Sequence, residues 1–329
     1  SLIEIQENGV PRLDYTNGTA SILLEPQSTN LITYSQDFSD SSWTKTNSTV
    51  TSGFVSPDGT TNAFKLTSTS VSGGNIIARP SLVVNSANTN SIYLKRVSGT
   101  GNVSLFNTAG NELVVTLTTE WKRFSVTNST NPSNAYTGVR LYGSSDEVLL
   151  FGAQTEALSY ATSYIPTSGS TVTRAAETLN NAGNSDLINS TEGTLYLETK
   201  ALNDGGSYRT LGIGDAINDN FVNILYRVNA GEIWFQISVG GSQVSFILTS
   251  LPQNQNRKLA ISWGSNYIRA YVDGILKGTS SSFVTFGANA LFNLRFARYN
   301  GSEPFYSNTK CVAVFSEALS DTELACLTS

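Results

Sequence analysis

The sequence predicts an all-β chain, two β-sandwiches in tandem behind an extended N-terminal lead-in and closed by a short C-terminal helix. Three observations predict it. Charged residues make up only 14% of the chain while apolar ones hold at 39%, so Ser, Thr, Asn and Gly fill the places of the missing charge. Those residues suit turns and pleated strands better than helices. Short runs of alternating apolar and polar residues recur at the spacing of a sandwich. Turn clusters such as Ser56-Pro57-Asp58-Gly59 and Gly99-Thr100-Gly101-Asn102 stand between them. At 329 residues the chain can carry two domains of ordinary size, each with its own core.

Residues 1–30 mix a short apolar run at 2–5 with turn signals at Asn8-Gly9 and Asn17-Gly18, then the strand-like Ser21-Ile22-Leu23-Leu24. They read as an extended lead-in that packs on a neighbour. Residues 31–165 follow as one jelly roll, with alternating runs at 63–67, 75–79, 91–97, 103–107, 112–118, 121–127, 138–142 and 147–154. A Ser/Thr/Asn/Gly stretch, 166–190, reads as a linker. Residues 191–329 form the second jelly roll, with runs at 193–199, 220–228, 232–239, 243–249, 257–263, 267–272, 291–297 and 310–315. Val272-Asp273-Gly274-Ile275 has the chemistry of a tight hairpin, because Asp-Gly supplies the positive φ angles of a primed turn. Ser320-Asp321-Thr322-Glu323 is a capping box and starts a helix that should run to about residue 327. No fixed repeat emerges, which argues against a solenoid or propeller.

Several classes of function fall away. The net charge of −5 offers no basic field for nucleic acid. No apolar run approaches the roughly 20 residues of a membrane helix, so no membrane insertion is expected. The chain has no His, which removes the usual general base of a triad or lyase. No strand carries the carboxylate pair, one residue apart, that a retaining glycosidase of this architecture needs. The chain is therefore expected not to be an enzyme. It also lacks Met, even at position 1, and is expected to be a processed or trimmed product. Cys311 and Cys326 leave two readings open, one disulfide or two buried thiols.

The second half resembles the laminin G-like, concanavalin A-like jelly rolls, through Lys258-Leu259-Ala260-Ile261-Ser262-Trp263, Tyr271-Val272-Asp273-Gly274 with Gly278, and the stretch from Phe315-Ser316-Glu317-Ala318 to Leu324. The first half is similar to jelly-roll carbohydrate-binding modules, on Asn30-Leu31, Phe38 with Trp43, Ser91-Ile92-Tyr93-Leu94-Lys95, Trp121-Lys122-Arg123 and Phe151-Gly152-Ala153-Gln154. Three further segments, Val10-Pro11-Arg12-Leu13-Asp14-Tyr15, Leu23-Leu24-Glu25-Pro26 and Tyr160-Ala161-Thr162-Ser163-Tyr164-Ile165-Pro166, resemble tail, fibre or head-spike proteins of bacteriophages. That resemblance implies a virion-surface, extracellular protein that attaches to a host glycan or polysaccharide beside other virion proteins. Shallow sugar sites gain from avidity, so a homo-oligomer is expected.

Sugars bind by stacking a ring face on an aromatic while hydroxyls meet polar side chains. Strand alternation selects two candidate platforms. In the first domain Tyr93 with Lys95 and Arg140 with Tyr142 share strand faces, joined by Phe106 and Gln154. Ile92, Leu94, Val139, Leu141, Leu149 and Phe151 read as the opposite, core side. In the second domain Trp234 and Gln236 stand opposite Ile233, Phe235 and Ile237, flanked by Arg227. The competing view of each set is a plain solvated sheet face. Trp43 and Trp121 read as plugs at the end of a core, Trp263 as core, and Tyr299 with Asn300 as a turn that could rim the cleft. The acidic loop Asp215 to Asp219, with Asn220, offers oxygen ligands for a structural calcium, although Asn/Asp clusters usually make turns and this spacing matches no EF-hand. No other cofactor is expected.

Overall fold

The structure is a computed structural model that describes residues 12–15, 18–78, 87–108, 111–128, 136–202, 208–227, 231–252, 255–281 and 286–329. Among these residues the chain is nearly all β, with one short C-terminal helix. The expected all-β, jelly-roll class holds. The chain divides into two compact units. One is Gln27–Ala175; the other is Ala176–Ser329 together with 12–26 of the lead-in.

In chain order the lead-in supplies β1 (Arg12–Asp14) and β2 (Ser21–Leu24). The first unit holds β3 (Ser28–Asn30), β4 (Trp43–Thr46), β5 (Ser48–Phe54), β6 (Ala63–Ser68), β7 (Gly74–Ala78), β8 (Asn88–Ser98), β9 (Val103–Thr108), β10 (Asn111–Val115), β11 (Lys122–Asn128), β12 (Thr137–Leu141), β13 (Glu147–Glu156) and β14 (Val172–Arg174). The second continues with β15 (Gly193–Ala201), β16 (Tyr208–Gly214), β17 (Phe221–Arg227), β18 (Glu232–Val239), β19 (Ser242–Ser250), β20 (Arg257–Gly264), β21 (Tyr267–Val272), β22 (Ile275–Ser280), β23 (Asn293–Arg295), β24 (Ser307–Phe315) and α1 (Asp321–Thr328).

The first unit stacks two antiparallel sheets, sheet I in the order β11-β8-β13-β6-β5 and sheet II in the order β10-β9-β12-β7-β4. Alternate side chains of each point inward: Ile92, Leu94, Val148 and Leu150 from sheet I meet Val103, Leu105, Val139 and Leu141 from sheet II. Each such side chain contributes roughly 1.5–3 kcal/mol by leaving water. Trp43 plugs this core, fully buried, with its indole N–H donated to the Tyr34 carbonyl at 2.9 Å. Trp121 is half-buried outside the core cluster, so it does not play the plug role expected of it. The expected inward pair Leu149 and Phe151 faces outward instead, and Val148 with Leu150 fills the core. A bulge between Phe151 and Gln154 is the cause. Gly152 takes a φ of +63° there, and the extra residue shifts the inward–outward count along the strand.

The second unit pairs sheet III, β1-β2-β24-β15-β20-β21-β22, with sheet IV, β19-β18-β17-β16-β23. Leu195, Leu197, Ile261 and Trp263 from sheet III pack on Leu211, Ile213, Ile224 and Phe235 from sheet IV. Trp263 is core, as expected. The lead-in is built into this unit: β2 pairs with β24 and buries Leu24 in the core. Arg12, also buried, donates to Glu25 at 2.6 Å and to Glu177. The boundary between units falls at 175/176, and within the stretch expected as a linker β14 pairs with β3.

The Asp273-Gly274 hairpin forms with both central φ angles positive, +50° and +76°. The capping box at Ser320 and Glu323 is present, and the helix ends at Thr328. Leu324 of α1 packs with Tyr196, Ala260 and Tyr271 on the outer face of sheet III. Both cysteines are free and exposed, so neither the disulfide nor the buried-thiol reading describes them. No helix among the described residues is long and apolar enough to cross a membrane.

Candidate functional site

The six residues grouped in the first unit do not form one surface. Tyr93 and Lys95 lie on β8 and Gln154 on β13, both in sheet I. Phe106 and Arg140 lie on β9 and β12 in sheet II, with Tyr142 immediately after β12. Their outward faces are on opposite sides of the sandwich. Strand alternation gives a side chain's face within its own sheet and says nothing about which sheet a strand joins.

The outer face of sheet I is closed by the chain that follows β13. Gln154 is fully buried; its amide donates to the carbonyls of Thr162 and Ser163 and its oxygen accepts from the Ile165 N–H at 2.6 Å. The Tyr164 ring meets Phe151 edge-on at 5.6 Å. Burial pushes the Tyr164 hydroxyl well above the ordinary phenol range, and Ser35, bonded to it at 2.6 Å, offsets this only in part. Tyr93 lies 6.0 Å from Phe151, with Arg123 stacked 5.5 Å from its ring centre and hydrogen-bonded to Thr162 and Ser91. Lys95 is half-buried on the same face. A sugar would have to displace the protein's own chain to reach Tyr93 or Gln154.

On sheet II, Phe106 is only 3% exposed. Its ring lies across Gly138 of the neighbouring strand, where a Cβ would sit 2.3 Å from it. Arg140 covers it at 5.5 Å and Tyr136 meets its edge. Tyr142 is 42% exposed, but its hydroxyl donates to Glu112 at 2.8 Å, which also pairs with Arg140 at 3.3 Å. This face is a satisfied polar cluster with one ring showing.

The second unit is different. Sheet III is capped by α1, whereas among the described residues the outer face of sheet IV keeps Trp234 and Gln236 half-exposed and Phe246 and Leu248 exposed. The three expected residues Arg227, Trp234 and Gln236 do share that face. Cross-strand register places Thr210, Leu225, Trp234 and Leu248 in one row and Gly212, Asn223, Gln236 and Phe246 in the next. Of these, Thr210, Leu225, Trp234, Asn223 and Gln236 floor a trough of about 240 Å³, rimmed by Tyr208, Phe221, Arg298 and Glu303. Gly212 leaves room for the Asn223 side chain: a Cβ there would lie 1.8 Å from its oxygen.

Trp234 is held rather than loose. Its indole N–H donates to Glu232 at 3.0 Å, Glu232 also pairs with Arg227 at 3.2 Å, and Arg227 stacks 5.5 Å from the indole. Phe246 braces it edge-on at 5.0 Å and Tyr208 lies 6.1 Å away. On the far side Glu303 accepts from Thr210 at 2.7 Å and from Arg298 at 3.0 Å, fixing the rim loop to β16. The result is a preset aromatic beside Asn223 and Gln236, the chemistry that receives a hydroxylated ring with an apolar face. Sequence reasoning missed Glu232, Tyr208, Thr210, Asn223 and Phe246. Parity along 220–228 and 243–249 could have found Asn223 and Phe246; β16 carried no clear strand signal because Gly212 and Gly214 interrupt it.

Tyr299 lines a second cavity of about 220 Å³ at the β23 edge of the same face, with Asn180, Asn293, Arg295 and Arg298. Asn300 caps a turn through Ser302. Burial lowers the pKa of Arg295, and the nearby Asp215 charge opposes that shift. The Asp215 carboxylate serves its own turn. One Asp215 oxygen accepts from the N–H groups of Ile217, Asn218 and Asp219, the other from the N–H and side-chain amide of Asn220, so its lone pairs are spent on its own turn. No cluster of three or more metal-ligating side chains occurs among the described residues.

Residues 174–325 match the concanavalin A-like lectin/glucanases superfamily in its laminin G family. No curated protein sequence matches the chain. Similar solved structures include the CBM40 module of a Ruminococcus gnavus IT-sialidase bound to α2,6-sialyllactose, at 14% identity and a TM-score of 0.38 over 46% of this chain and 97% of that one. A heptameric SAP-like pentraxin from Limulus polyphemus is similar at 13% identity and a TM-score of 0.39, over 46% of this chain and 75% of that one. Domain 4 of an extracellular arabinanase from Geobacillus stearothermophilus, in complex with arabinotriose, is similar at 18% identity and a TM-score of 0.35, over 52% of this chain and 81% of that one. The second unit is a β-sandwich whose sequence, over 174–325, is similar to that family.

Proposed function

We propose that the chain binds glycans without cleaving them, on the open outer face of sheet IV. The observation that carries this is Trp234, a half-exposed indole fixed by Glu232, Arg227 and Phe246 over a trough floored by Asn223 and Gln236. A ring fixed before binding loses little freedom when a sugar stacks on it. The superfamily includes both lectins and glucanases, and the two carboxylates nearest Trp234 and the rim, Glu232 and Glu303, favour the lectin side. Glu232 is committed to Arg227 and Trp234, Glu303 to Arg298 and Thr210, whereas a glycosidase needs one carboxyl free to donate a proton. Calorimetric titration with glycans that bind the native chain tests it. Trp234→Ala should remove the heat of binding while the native chain leaves its glycan uncleaved. Unchanged affinity in that variant, or release of reducing ends, would refute the proposal.

The setting we propose is a virion surface, where the chain attaches to host polysaccharide as a homo-oligomer. This rests on the likeness of the lead-in and the 160–166 segment to phage tail and spike proteins. A second reading, a subunit contact on the same face, is favoured by Phe246 and Leu248, each 43% exposed on an edge strand. Burial of those two side chains between copies, with no glycan bound, would support it over the first.

A further inference from the structure

We propose that the cavity at the β23 edge of sheet IV is a subsite for an anionic sugar residue, whose carboxylate is received by Arg295. The proposal rests on the glycan-binding reading of the adjoining trough, with which the cavity shares Arg298. Asn293 and Arg295 alternate outward on β23 while Phe296 turns into the core. The guanidinium extends over Gly214, where a Cβ would fall 2.7 Å from Nη2; the glycine provides the room in which it lies.

Arg295 is only 8% exposed, and among the described residues its side chain makes no hydrogen bond or ion pair. Arg298 is committed to Glu303 at 3.0 Å. Asp215, whose charge Arg295 feels, has both oxygens occupied by its own loop. The residue is largely enclosed while its guanidinium opens onto the cavity, and a guanidinium in such a setting gains from a paired anion. Here the missing partner faces a cavity that opens beside a sugar trough. The planar fork of Arg matches a carboxylate through two parallel hydrogen bonds. The wall holds further unspent polarity: the Asn180 carboxamide oxygen is buried with no donor, and a half-turn of that group would present it to a ring hydroxyl. A neutral sugar could meet Asn180 but would leave Arg295 uncompensated.

The test is a titration of the full chain against three sets of oligosaccharides: neutral, carboxylate-bearing (uronate or sialate), and sulfated. The carboxylate set should bind roughly tenfold or more tightly than neutral counterparts, with a preference that fades as salt is raised. Arg295→Met should erase that preference and leave neutral binding in place, while Trp234→Ala should remove both. Because Arg295 makes no hydrogen bond or ion pair and would lose only its attraction to the Asp215 charge, Arg295→Met should melt close to or above the native temperature. Equal binding of neutral and acidic glycans, unchanged by Arg295→Met, overturns the subsite and leaves the trough reading standing. Dependence on Arg295 for sulfated glycans alone overturns the carboxylate assignment. A lower melting temperature with acid preference intact makes Arg295 structural and overturns the proposal. No binding of any glycan overturns the trough reading and the subsite with it.

Discussion

The two units are built alike, each from stacked antiparallel sheets with alternate side chains turned inward, yet they treat their outer faces differently. In the first unit the chain after β13 crosses sheet I and buries Gln154 and Phe151, with Tyr164 half-buried against them. In the second, α1 covers sheet III while, among the described residues, sheet IV keeps Trp234 and Gln236 half-exposed over the trough. The same residue types therefore have opposite fates: Gln154 is a structural clamp, Gln236 a lining group. Alternation decides which side of a strand a residue takes, while the connecting segments decide whether that side is a surface.

The contrast breaks most visibly at tryptophan. Trp43→Ala should cost about 3–5 kcal/mol of stability by opening a cavity in the first core, seen as a large fall in denaturant midpoint. Trp234→Ala should cost only about 1 kcal/mol but at least about 2 kcal/mol of glycan affinity, the signature of a binding hot spot. A Trp234 variant that unfolds like the Trp43 variant would show the trough ring to be core.

The glutamine pair is the next test. Gln154→Ala should lose about 1–3 kcal/mol, because the buried Ile165 N–H is left without its acceptor and the Thr162 and Ser163 carbonyls each lose a donor, and hydrogen exchange should quicken across 156–167. Gln236→Ala should leave exchange unchanged and weaken binding instead. Equal effects in the two variants would erase the distinction between covered and open faces.

Much of the fold was legible in the sequence because alternation and turn chemistry agreed along most strands; the Asp273-Gly274 hairpin and the Ser320 capping box are cases where local rules were enough. The misreadings share a cause. Leu149 and Phe151 were placed inward because the bulge at Gly152 leaves no mark on the apolar pattern. The first-unit platform mixed sheets I and II because pairing order is a tertiary property, set by contacts between β8 and β13 or β9 and β12 that are distant in sequence. β16 escaped notice because Gly212 and Gly214 dilute its strand signal, although those glycines shape the floor of the open face. Trp234, Gln236 and Arg227 were brought together as expected because they belong to the adjacent strands β17 and β18.

A smaller effect separates fixed from mobile aromatics. Glu232→Gln should change stability by no more than about 0.5 kcal/mol, since the pair with Arg227 is half-exposed, but should weaken glycan binding several-fold by freeing the indole. Binding equal to native would mean that Trp234 needs no anchor.

The smallest effect concerns the cover of sheet III. The Glu323 carboxyl is held below the usual carboxylate range by the Ser320 hydroxyl and then by the Ser320 amide. A folded-state pKa below the unfolded one gives stability that is present at neutral pH and lost as pH falls through the folded value. Exchange in α1 should therefore quicken on acidification below the ordinary carboxylate range, and Glu323→Gln should flatten that dependence. A flat profile in the native chain would remove the capping box from the account.

The most direct measurement is a nuclear magnetic resonance titration of side-chain N–H signals with a bound glycan. Of the four tryptophans, the indole of Trp234 should shift together with the amides of Asn223 and Gln236, while Trp43, Trp263 and Gln154 stay still. Shifts centred on Gln154 and Tyr93, or on Arg140 and Tyr142, with Trp234 unmoved, would contradict the claim that sheet IV carries the binding face.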